Sequence, residues 1–204
     1  MLFVKQYVNS TFNSNTYLVQ SEINPRSGWL VDVGIFSDWH EDLDTFCEIK
    51  GIFLTHAHYD HIFAIHDVLN IFPNCKIYCS DFTKISLSDS KLNLSFYHDE
   101  PINFTHDKIE LLKEGDRVEL FCGIEILTIE TPGHNKGSLS FLMGKYIFTG
   151  DSLVPGYKVV TKLKSGSINE NLLSLSKLDN IMKSDTLVCS GHGPIVERQL
   201  IKLQ

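Results

Sequence analysis

The most informative segment of this chain reads Thr55-His56-Ala57-His58-Tyr59-Asp60-His61. It follows Gly51-Ile52-Phe53-Leu54, an apolar run that is typical of a buried strand ending at the edge of a sheet. Because side chains two residues apart in an extended chain point to the same side, we expect His56 and His58 to share one face. Imidazole nitrogens and carboxylate oxygens are the ligands of open, catalytic zinc sites. The cluster therefore predicts a bound metal rather than a His-rich polar loop.

Length and composition restrict the class of protein. With 204 residues, the chain suits a single domain over residues 1–204. Hydrophobic residues make up 43% of it and charged residues 21%, as in soluble globular proteins. A formal net charge of -7 argues against a nucleic-acid partner, since surfaces that bind nucleic acid are basic.

The N-terminus and the cysteines indicate the cellular compartment. Residues 1–7 lack the pattern of a signal peptide, and no apolar stretch approaches the roughly 20 residues that span a bilayer. The five cysteines show no disulfide framework, so we expect mostly buried, reduced thiols. The sequence therefore predicts a cytoplasmic protein without a membrane partner, and it leaves the oligomeric state open.

Hydrophobic periodicity predicts an α/β layered domain that opens with antiparallel strands. Strands are predicted over residues 3–8, 16–19, 29–34, 51–54, 75–79, 117–121, 124–129, 138–143, 146–149 and 186–189. Helices are predicted over residues 38–50, 62–70 and 169–182, and residues 195–204 can add little more than a short helix. Residues 81–110 and 154–167 show little regularity, and the first of these insertions is typical of a lid or binding loop. Its His98 and His106 are interpreted as surface residues rather than ligands.

Three further strands end in residues that can bind a metal. His134 follows Thr131-Pro132-Gly133, Asp151 follows Thr149-Gly150, and His192 lies in Ser190-Gly191-His192-Gly193-Pro194. Each turn alone is weak evidence, but strand ends that meet at one sheet edge are where α/β proteins build their sites. Asp32, at the end of an apolar strand, either orients a ligand histidine or begins a turn with Gly34.

Together these motifs resemble the metallo-β-lactamase superfamily, whose HxHxDH motif matches His56-Ala57-His58-Tyr59-Asp60-His61. The segment Trp29-Leu30-Val31-Asp32-Val33-Gly34 also resembles the first motif of the family, so the likeness covers nearly the whole chain. It implies an α/β fold, the four-layer αβ/βα sandwich with two mixed sheets face to face and helices outside. It also implies two divalent metal ions, the first held by His56, His58 and His134, the second by Asp60, His61 and His192, with Asp151 bridging both.

A bridging aspartate at position 151 resembles the glyoxalase II branch of the family and implies a metallo-hydrolase. In that chemistry, hydroxide bound by two metal ions attacks the carbonyl of a small ester or thioester, and the residual positive charge stabilises the oxyanion. Asp60 is the candidate catalytic residue, since it can orient the water or accept its proton. Zinc is expected first, and iron or manganese are alternatives for a site of nitrogen and oxygen ligands.

Two differences from that branch concern the substrate. Residues 159–164 read Val159-Val160-Thr161-Lys162-Leu163-Lys164 where those proteins often carry Gly-Arg-Thr-Asp-Leu-Pro. Ten residues follow Pro194, where full-length glyoxalase II has a helical extension that grips glutathione. Both differences count against a glutathione thioester. Lys158, Lys162 and Lys164 either bind an anionic small-molecule substrate or simply solubilise the loop.

Other chemistries of the superfamily are alternatives: lactam hydrolysis, phosphodiester cleavage and iron-dependent persulfide oxidation. The acidic net charge counts against a nuclease, and the complete second ligand set counts against a mono-iron oxygenase. A different class is a non-catalytic, metal-stabilised binding protein, which would hold metal without turning over any substrate.

Overall fold

Two six-stranded sheets form the frame of the protein. The computed structural model describes residues 2–35, 37, 39–40 and 48–202. The N-terminal sheet contains, in spatial order, β1 (Leu2–Val8), β2 (Asn15–Ser21), β3 (Asn24–Val31), β4 (Glu48–Phe53), β5 (Lys76–Cys79) and β6 (Ile109–Leu111). Its first three strands pair antiparallel, and the later pairs are parallel. The predicted antiparallel opening is therefore confirmed.

The C-terminal sheet runs in the spatial order β12-β11-β10-β9-β8-β7. Its strands are β7 (Arg117–Phe121), β8 (Ile124–Glu130), β9 (Leu139–Met143), β10 (Tyr146–Gly150), β11 (Leu187–Ser190) and β12 (Val196–Glu197). Strands β10 and β11 pair in parallel, and the other described pairs of this sheet are antiparallel. Because parallel strands end at the same edge, the residues after β10 and β11 emerge side by side.

The space between the sheets is filled by alternate side chains of their strands. Tyr17 and Val19 of β2 belong to this inner core, whereas Leu18 between them packs on the outer side. Phe53 of β4 stacks on Tyr78 of β5 with ring centroids 4.8 Å apart. It also meets Phe141 of β9 at 5.2 Å, which joins one sheet to the other.

Helices bury the outer face of each sheet. The N-terminal sheet carries α1 (Tyr59–Ile62), α2 (Ile65–Ile71) and α3 (Asp81–Leu87), and the C-terminal sheet carries α4 (Ile168–Ile181). Ile65 and Val68 of α2 share a core with Ile52 of β4, and Leu178 of α4 shares one with Ile147 of β10. The layers therefore follow the order helix, sheet, sheet, helix, which confirms the predicted αβ/βα sandwich.

The predicted helix over residues 38–50 lies mostly outside the described residues, and its end is wrong. Residues 48–50 belong to β4, where Glu48 and Ile49 pair in parallel with Ser27 and Gly28 of β3. Ile49 is buried in the outer core of the N-terminal sheet. Pairing and burial supplied by a distant strand therefore extend β4 beyond the four apolar residues that local periodicity identifies.

The insertion over residues 81–110 is more ordered than predicted. It begins with the helix α3. The Oγ of Ser80 accepts a hydrogen bond from the backbone nitrogen of Thr83 at 3.1 Å and caps this helix. Asn93 is fully buried and donates to the carbonyl oxygens of Ser86 and Ile102 at 3.0 and 2.9 Å. The polar residues that suggested a loose loop therefore hold it together. At the C-terminus, where the sequence allows little more than a short helix, the described residues form β12 and a short 3₁₀ helix, Arg198–Leu200.

Four cysteines are described, and all four are free thiols. Cys75, Cys79 and Cys189 are buried, as predicted, whereas Cys122 is exposed in the turn between β7 and β8. The pKa of each buried thiol is raised by burial, so these residues are protonated packing groups. Among the described residues, no helix combines the length and the apolarity that crossing a membrane requires.

Candidate metal centre

All seven candidate ligands lie in one cluster at the strand ends. The end of β4 presents His56 and His58, and α1 adds Asp60 and His61. The remaining members follow β8, β10 and β11: His134, Asp151 and His192. Three overlapping groups have ligand atoms within 4.8 Å of one another. The first is His56, His58 and His134; the second is His56, His61 and Asp151; the third is Asp60, His61 and His192.

The first group, the His triad, is buried and composed of imidazoles. His56, His58 and His134 are 0%, 5% and 4% exposed. Nδ1 of His58 lies 2.9 Å from Nε2 of His134, and the ring of His56 stands almost perpendicular to that of His134 at 4.9 Å. Three ring nitrogens therefore converge on one small volume, as in the three-histidine zinc sites of enzymes.

The third group, the mixed triad, combines Asp60 and His61 from α1 with His192 from the turn after β11. Oδ2 of Asp60 lies 3.5 Å from Nε2 of both histidines. His61 is buried, but the side chains of Asp60 and His192 keep 14% and 27% of their surface exposed. This half of the centre faces the solvent.

The carboxylate of Asp151 lies between the two triads. Its Oδ1 is 3.5 Å from Nε2 of His61, and its Oδ2 is 3.5 Å from Nε2 of His134 and 3.4 Å from Nε2 of His192. The preceding Gly150 has φ +48°, a conformation that favours glycine. Gly191 allows the close approach of this carboxylate, because a Cβ there would collide with Asp151 and lie 2.8 Å from the ring of His61.

Hydrogen bonds at Nδ1 turn four of the histidines toward the same point. Nδ1 of His134 donates to the carbonyl oxygen of Val160 at 2.8 Å, and Nδ1 of His192 donates to that of Phe12 at 3.1 Å. Nδ1 of His61 donates to Asp32, and Nδ1 of His56 lies 3.1 Å from the Thr55 hydroxyl, which itself donates to Asp32. These acceptors hold the proton of Nδ1, so each Nε2 faces the centre and can bind a cation when it carries no proton itself.

Asp32 is held beneath the cluster by strong hydrogen bonds. Its Oδ1 accepts from the backbone nitrogen of Thr55 at 2.8 Å, and its Oδ2 accepts from the Thr55 hydroxyl at 2.7 Å and from Nδ1 of His61 at 2.9 Å. Its φ of +54° is uncommon for a residue other than glycine. Of the two interpretations of Asp32, the geometry favours the one in which it orients a ligand histidine.

In the metal-free cluster, the pKa values of the histidines are lowered in one part and raised in another. Burial, together with the imidazole of His134, lowers the pKa of His58 to about 3. Burial also acts to lower the pKa of His61, but the surrounding carboxylates, Asp60 foremost, outweigh it and raise that pKa to about 10. For Asp151, burial acts to raise the pKa, and the neighbouring imidazoles, His61 foremost, lower it well below its ordinary value. The His triad is therefore neutral at pH 7, whereas charge is concentrated around Asp151.

The donor set fits divalent metal ions. Nε2 of His56, Nε2 of His61 and Oδ1 of Asp151 are buried and have no hydrogen-bond partner among the described residues. Buried polar atoms without partners are costly, and bound cations would satisfy all three. Five imidazoles and two carboxylates are ligands that zinc, iron and manganese accept. The residues present therefore suit two ions.

A cleft of about 440 Å³ opens onto the cluster. It is lined by His134, Asp151 and His192, by Phe12 and Asn13, and by the loop residues Val154, Tyr157, Lys158, Val159 and Val160. Of the three lysines proposed to contact a substrate, Lys158 lines the cleft, and Lys162 and Lys164 are exposed residues outside its lining.

Several supporting residues were not identified from the sequence. The Ser14 hydroxyl donates to the carbonyl oxygen of Asp60 at 2.8 Å, and Nδ2 of Asn135 lies 3.3 Å from Nε2 of His58. Asn135 directly follows a predicted ligand, and Ser14 lies in a polar turn, so position in the sequence offered a weak signal for both. The supporting carbonyl groups of Val160 and Phe12 offered none, because any residue type carries a carbonyl.

An aromatic stack joins the insertion to the mixed triad. The ring of His98 stacks on Tyr59 with centroids 4.1 Å apart and meets the edge of Phe12 at 5.5 Å. His98 is half-buried, and it is not a member of the cluster. His106, which is also half-buried, stacks on Phe104 at 5.8 Å. Both histidines are therefore partly exposed residues outside the ligand cluster, as interpreted from the sequence, and each also packs against an aromatic ring.

The chain belongs to the metallo-beta-lactamase superfamily. The family model of that description matches residues 10–192, which is most of the chain. Strands β2 to β11 and the strand-end cluster lie within the matched residues. The resemblance predicted from the motifs is thereby confirmed.

Two kinds of curated relatives are similar to the chain. A hydroxyacylglutathione hydrolase of Erwinia tasmaniensis is 29% identical over 143 residues, which cover 70% of this chain and 47% of that enzyme. The matched region therefore spans less than half the length of that relative. A probable metallo-hydrolase of Streptococcus pyogenes is 27% identical over 202 residues, with 95% of this chain and 85% of the relative covered.

Solved structures share the whole architecture. The BLEG-1 B3 metallo-beta-lactamase superposes with a TM-score of 0.85 at 26% identity, covering 96% of this chain and 94% of that one. TTHA1623, solved in a di-iron-bound form, superposes with a TM-score of 0.80 at 23% identity, covering 97% and 96%. At that identity the second likeness shows the fold alone.

Proposed function

We propose that this protein is a metal-dependent hydrolase that cleaves a small ester or thioester at a two-metal centre. The observation that carries the proposal is the convergence of seven nitrogen and oxygen ligands at the mouth of a cleft, on a chain that belongs to a superfamily of metallo-hydrolases. The similarity to hydroxyacylglutathione hydrolases supports an acyl bond as the target. Free, reduced thiols support a cytoplasmic location.

The ligands divide into two sets in this proposal. His56, His58 and His134 would hold one ion, and Asp60, His61 and His192 the other, with Asp151 contacting both. Zinc is the first choice for these ligands, and iron or manganese are the alternatives. Bound ions would lower the pKa of water toward about 7 and polarise a carbonyl group.

The side chains of the protein supply positioning and proton handling. In the reaction the oxygen of water forms a bond to the acyl carbon, the C–S or C–O bond breaks, and a proton passes to the leaving thiol or alcohol. The carboxylate of Asp60 keeps 14% of its surface exposed in the half of the cluster that faces the solvent, so it is proposed to orient the water and accept its proton. Lys158 at the cleft is proposed to hold an anionic part of the substrate, whereas Lys162 and Lys164 lie outside the cleft lining.

Lactam hydrolysis is the second candidate. The superposition on the BLEG-1 B3 metallo-beta-lactamase favours it, because that likeness covers nearly all of both chains at 26% identity. A β-lactam and a thioester both react by addition of water to an acyl carbon, so the same cluster serves either substrate. The leaving group distinguishes them.

Elemental analysis of unsupplemented protein, combined with a panel of esters, thioesters and β-lactams, tests the proposal. We expect two metal ions per chain, thioester turnover that a chelator abolishes, and loss of both metal and turnover in His134→Ala. His106→Ala, which changes a histidine outside the cluster, is the matched control and should behave as the wild type. Turnover of β-lactams alone would select the second candidate, and two bound metals without any turnover would overturn the hydrolase.

A further inference from the structure

A second cavity lies behind the loop that borders the metal-site cleft. Its volume is about 240 Å³, and it is enclosed by residues 153–159, by one face of α4 and by the chain near residue 201. Its walls are mostly apolar and include Leu153, Ile168, Leu172, Leu175 and Ile201, whereas Lys158 and Lys202 also contribute to the lining. The amide of Asn171, also in the lining, donates to the carbonyl oxygen of Ser152 at 3.1 Å. The cavity therefore suits a hydrocarbon group rather than a polar one.

The rim of this cavity exposes large apolar side chains to solvent. Ile168, Leu172 and Tyr157 are 47%, 52% and 71% exposed. Contiguous exposed apolar surface around a concavity is typical of a binding site, because leaving it hydrated costs free energy. This exposed apolar surface therefore indicates that the cavity binds another molecule.

The cavity and the cleft share one wall. Val154, Tyr157, Lys158 and Val159 line both, and the cleft side of that wall also contains Asp151 and His134. The two concavities are therefore adjacent, and a molecule whose reacting carbonyl lies at the cluster needs only to pass over this loop for its far end to reach the cavity. A separate protein partner would reach the cavity without any need for that adjacency.

We propose that the cavity binds the apolar tail of the substrate, so that the preferred substrates are esters or thioesters with a medium-length acyl chain. This inference rests on the proposed hydrolase function, whose substrate class it specifies. Each methylene that enters the cavity leaves water, which raises kcat/KM about threefold to fourfold as long as space remains. An acetyl group is too short to leave the cleft and gains nothing.

The test compares two neighbouring leucines on α4. Leu172 lines the cavity, whereas Leu173 is 73% exposed and lies outside the lining. Metal-loaded wild type, Leu172→Glu and Leu173→Glu are assayed with acetyl, butyryl, hexanoyl and octanoyl thioesters of one small thiol. We expect kcat/KM to rise with chain length in the wild type and in Leu173→Glu. In Leu172→Glu the rise should disappear while acetyl hydrolysis stays unchanged.

Binding of octanoate to the metal-free protein, measured by calorimetry, gives a readout that does not depend on turnover. Leu172→Glu should weaken it at least about tenfold, since a carboxylate is placed in an apolar wall, and Leu173→Glu should leave it unchanged. Equal octanoate affinity in all three proteins, or thioester turnover without any chain-length preference, would overturn the inference. Octanoate binding without turnover of any ester would instead overturn the hydrolase and leave the cavity assignment intact. Self-association that Leu172→Glu abolishes, in a protein that does not bind octanoate, would assign the cavity to a second copy.

Discussion

The two halves of the metal centre are built in contrasting ways. The His triad is buried, is composed of imidazoles, and is anchored through the backbone carbonyl of Val160 and the hydroxyl of Thr55. The mixed triad keeps exposed surface at Asp60 and His192, of which His192 lines the cleft, and it depends on the carboxylate of Asp32 for the orientation of His61. The contrast indicates that the two halves have different roles. In the proposed two-metal centre, the enclosed half would retain its ion and the open half would exchange water and meet the substrate.

Asp151→Asn should have the largest effect, because it removes the charge that the two halves share. Asp151 lies within 3.5 Å of His61, His134 and His192, so both proposed ions would exchange an anionic ligand for a neutral one, and the imidazoles would lose their counter-charge. We expect kcat/KM to fall by at least about 10²-fold, which is the size of a lost electrostatic contact in an active site. Elemental analysis should show less than one metal ion per chain. Two retained ions would contradict a bridging role.

Asp32→Ala should affect the mixed triad more than the His triad. Its carboxylate contacts the ring of His61 directly, whereas it reaches His56 only through the Thr55 hydroxyl. Loss of such a supporting carboxylate lowers metal affinity by about 10-fold to 100-fold. Titration of metal-free protein with zinc should therefore show a second step, assigned to the mixed triad, that is weakened more than the tight step of the His triad.

The matched control is Asp67→Ala, which removes a carboxylate of α2 that is not part of the cluster. It should bind both ions as the wild type does. Equal weakening of both steps in Asp32→Ala would show that the two halves are not independent.

The sequence predicts well those candidate ligands that directly follow a single strand. His56, His134 and His192 follow apolar runs and stand beside Pro or Gly turns or within dense polar motifs, so short windows identify them. The groups that orient these histidines cannot be identified from such short windows. The carbonyl group of Phe12 is 180 residues from His192 in the chain, so no local pattern links the two.

The same distinction explains the errors in secondary structure. The start of β4 depends on pairing with β3, and the order of the insertion depends on the buried amide of Asn93. Both features arise from tertiary contacts that override local propensity. The apolar cavity beside the cleft belongs to the same class, since it forms only where α4, the loop over residues 153–159 and Ile201 meet.

The pH dependence of the stability of the metal-free protein should have opposite signs in the two halves. Because the pKa of His58 is lowered to about 3, folding excludes a proton that the unfolded chain binds below about pH 6.5, and stability is lost as the pH falls toward 3. Because the pKa of His61 is raised to about 10, its contribution is fully present below about pH 6.5 and is lost as the pH rises through 10.

Urea unfolding of metal-free His58→Gln and His61→Gln at pH 5, 7 and 9 measures this difference. Relative to the wild type, His61→Gln should be more destabilising at pH 5 than at pH 9, and His58→Gln should show the reverse order. Free energies of unfolding that shift equally at every pH in both variants would contradict the assigned protonation states.

His98→Ala should have the smallest effect, and this effect should again concern the open half of the centre. The ring of His98 packs between Tyr59, which precedes Asp60, and Phe12, whose carbonyl oxygen accepts from His192. An aromatic contact of this kind stabilises by about 0.5–1.5 kcal/mol, so we expect the second metal ion to bind about twofold to tenfold more weakly. The tight step in the zinc titration should not change.

Two further variants separate positioning from general stability. His98→Phe keeps a planar ring in the stack and should restore the second step, whereas His106→Ala breaks a comparable contact with Phe104 away from the cluster and should leave both steps unchanged. If His98→Ala and His106→Ala weaken zinc binding equally, the effect comes from the stability of the insertion. If only His98→Ala does so, the insertion helps to hold the open half of the centre, and the difference between the two halves extends beyond their ligands.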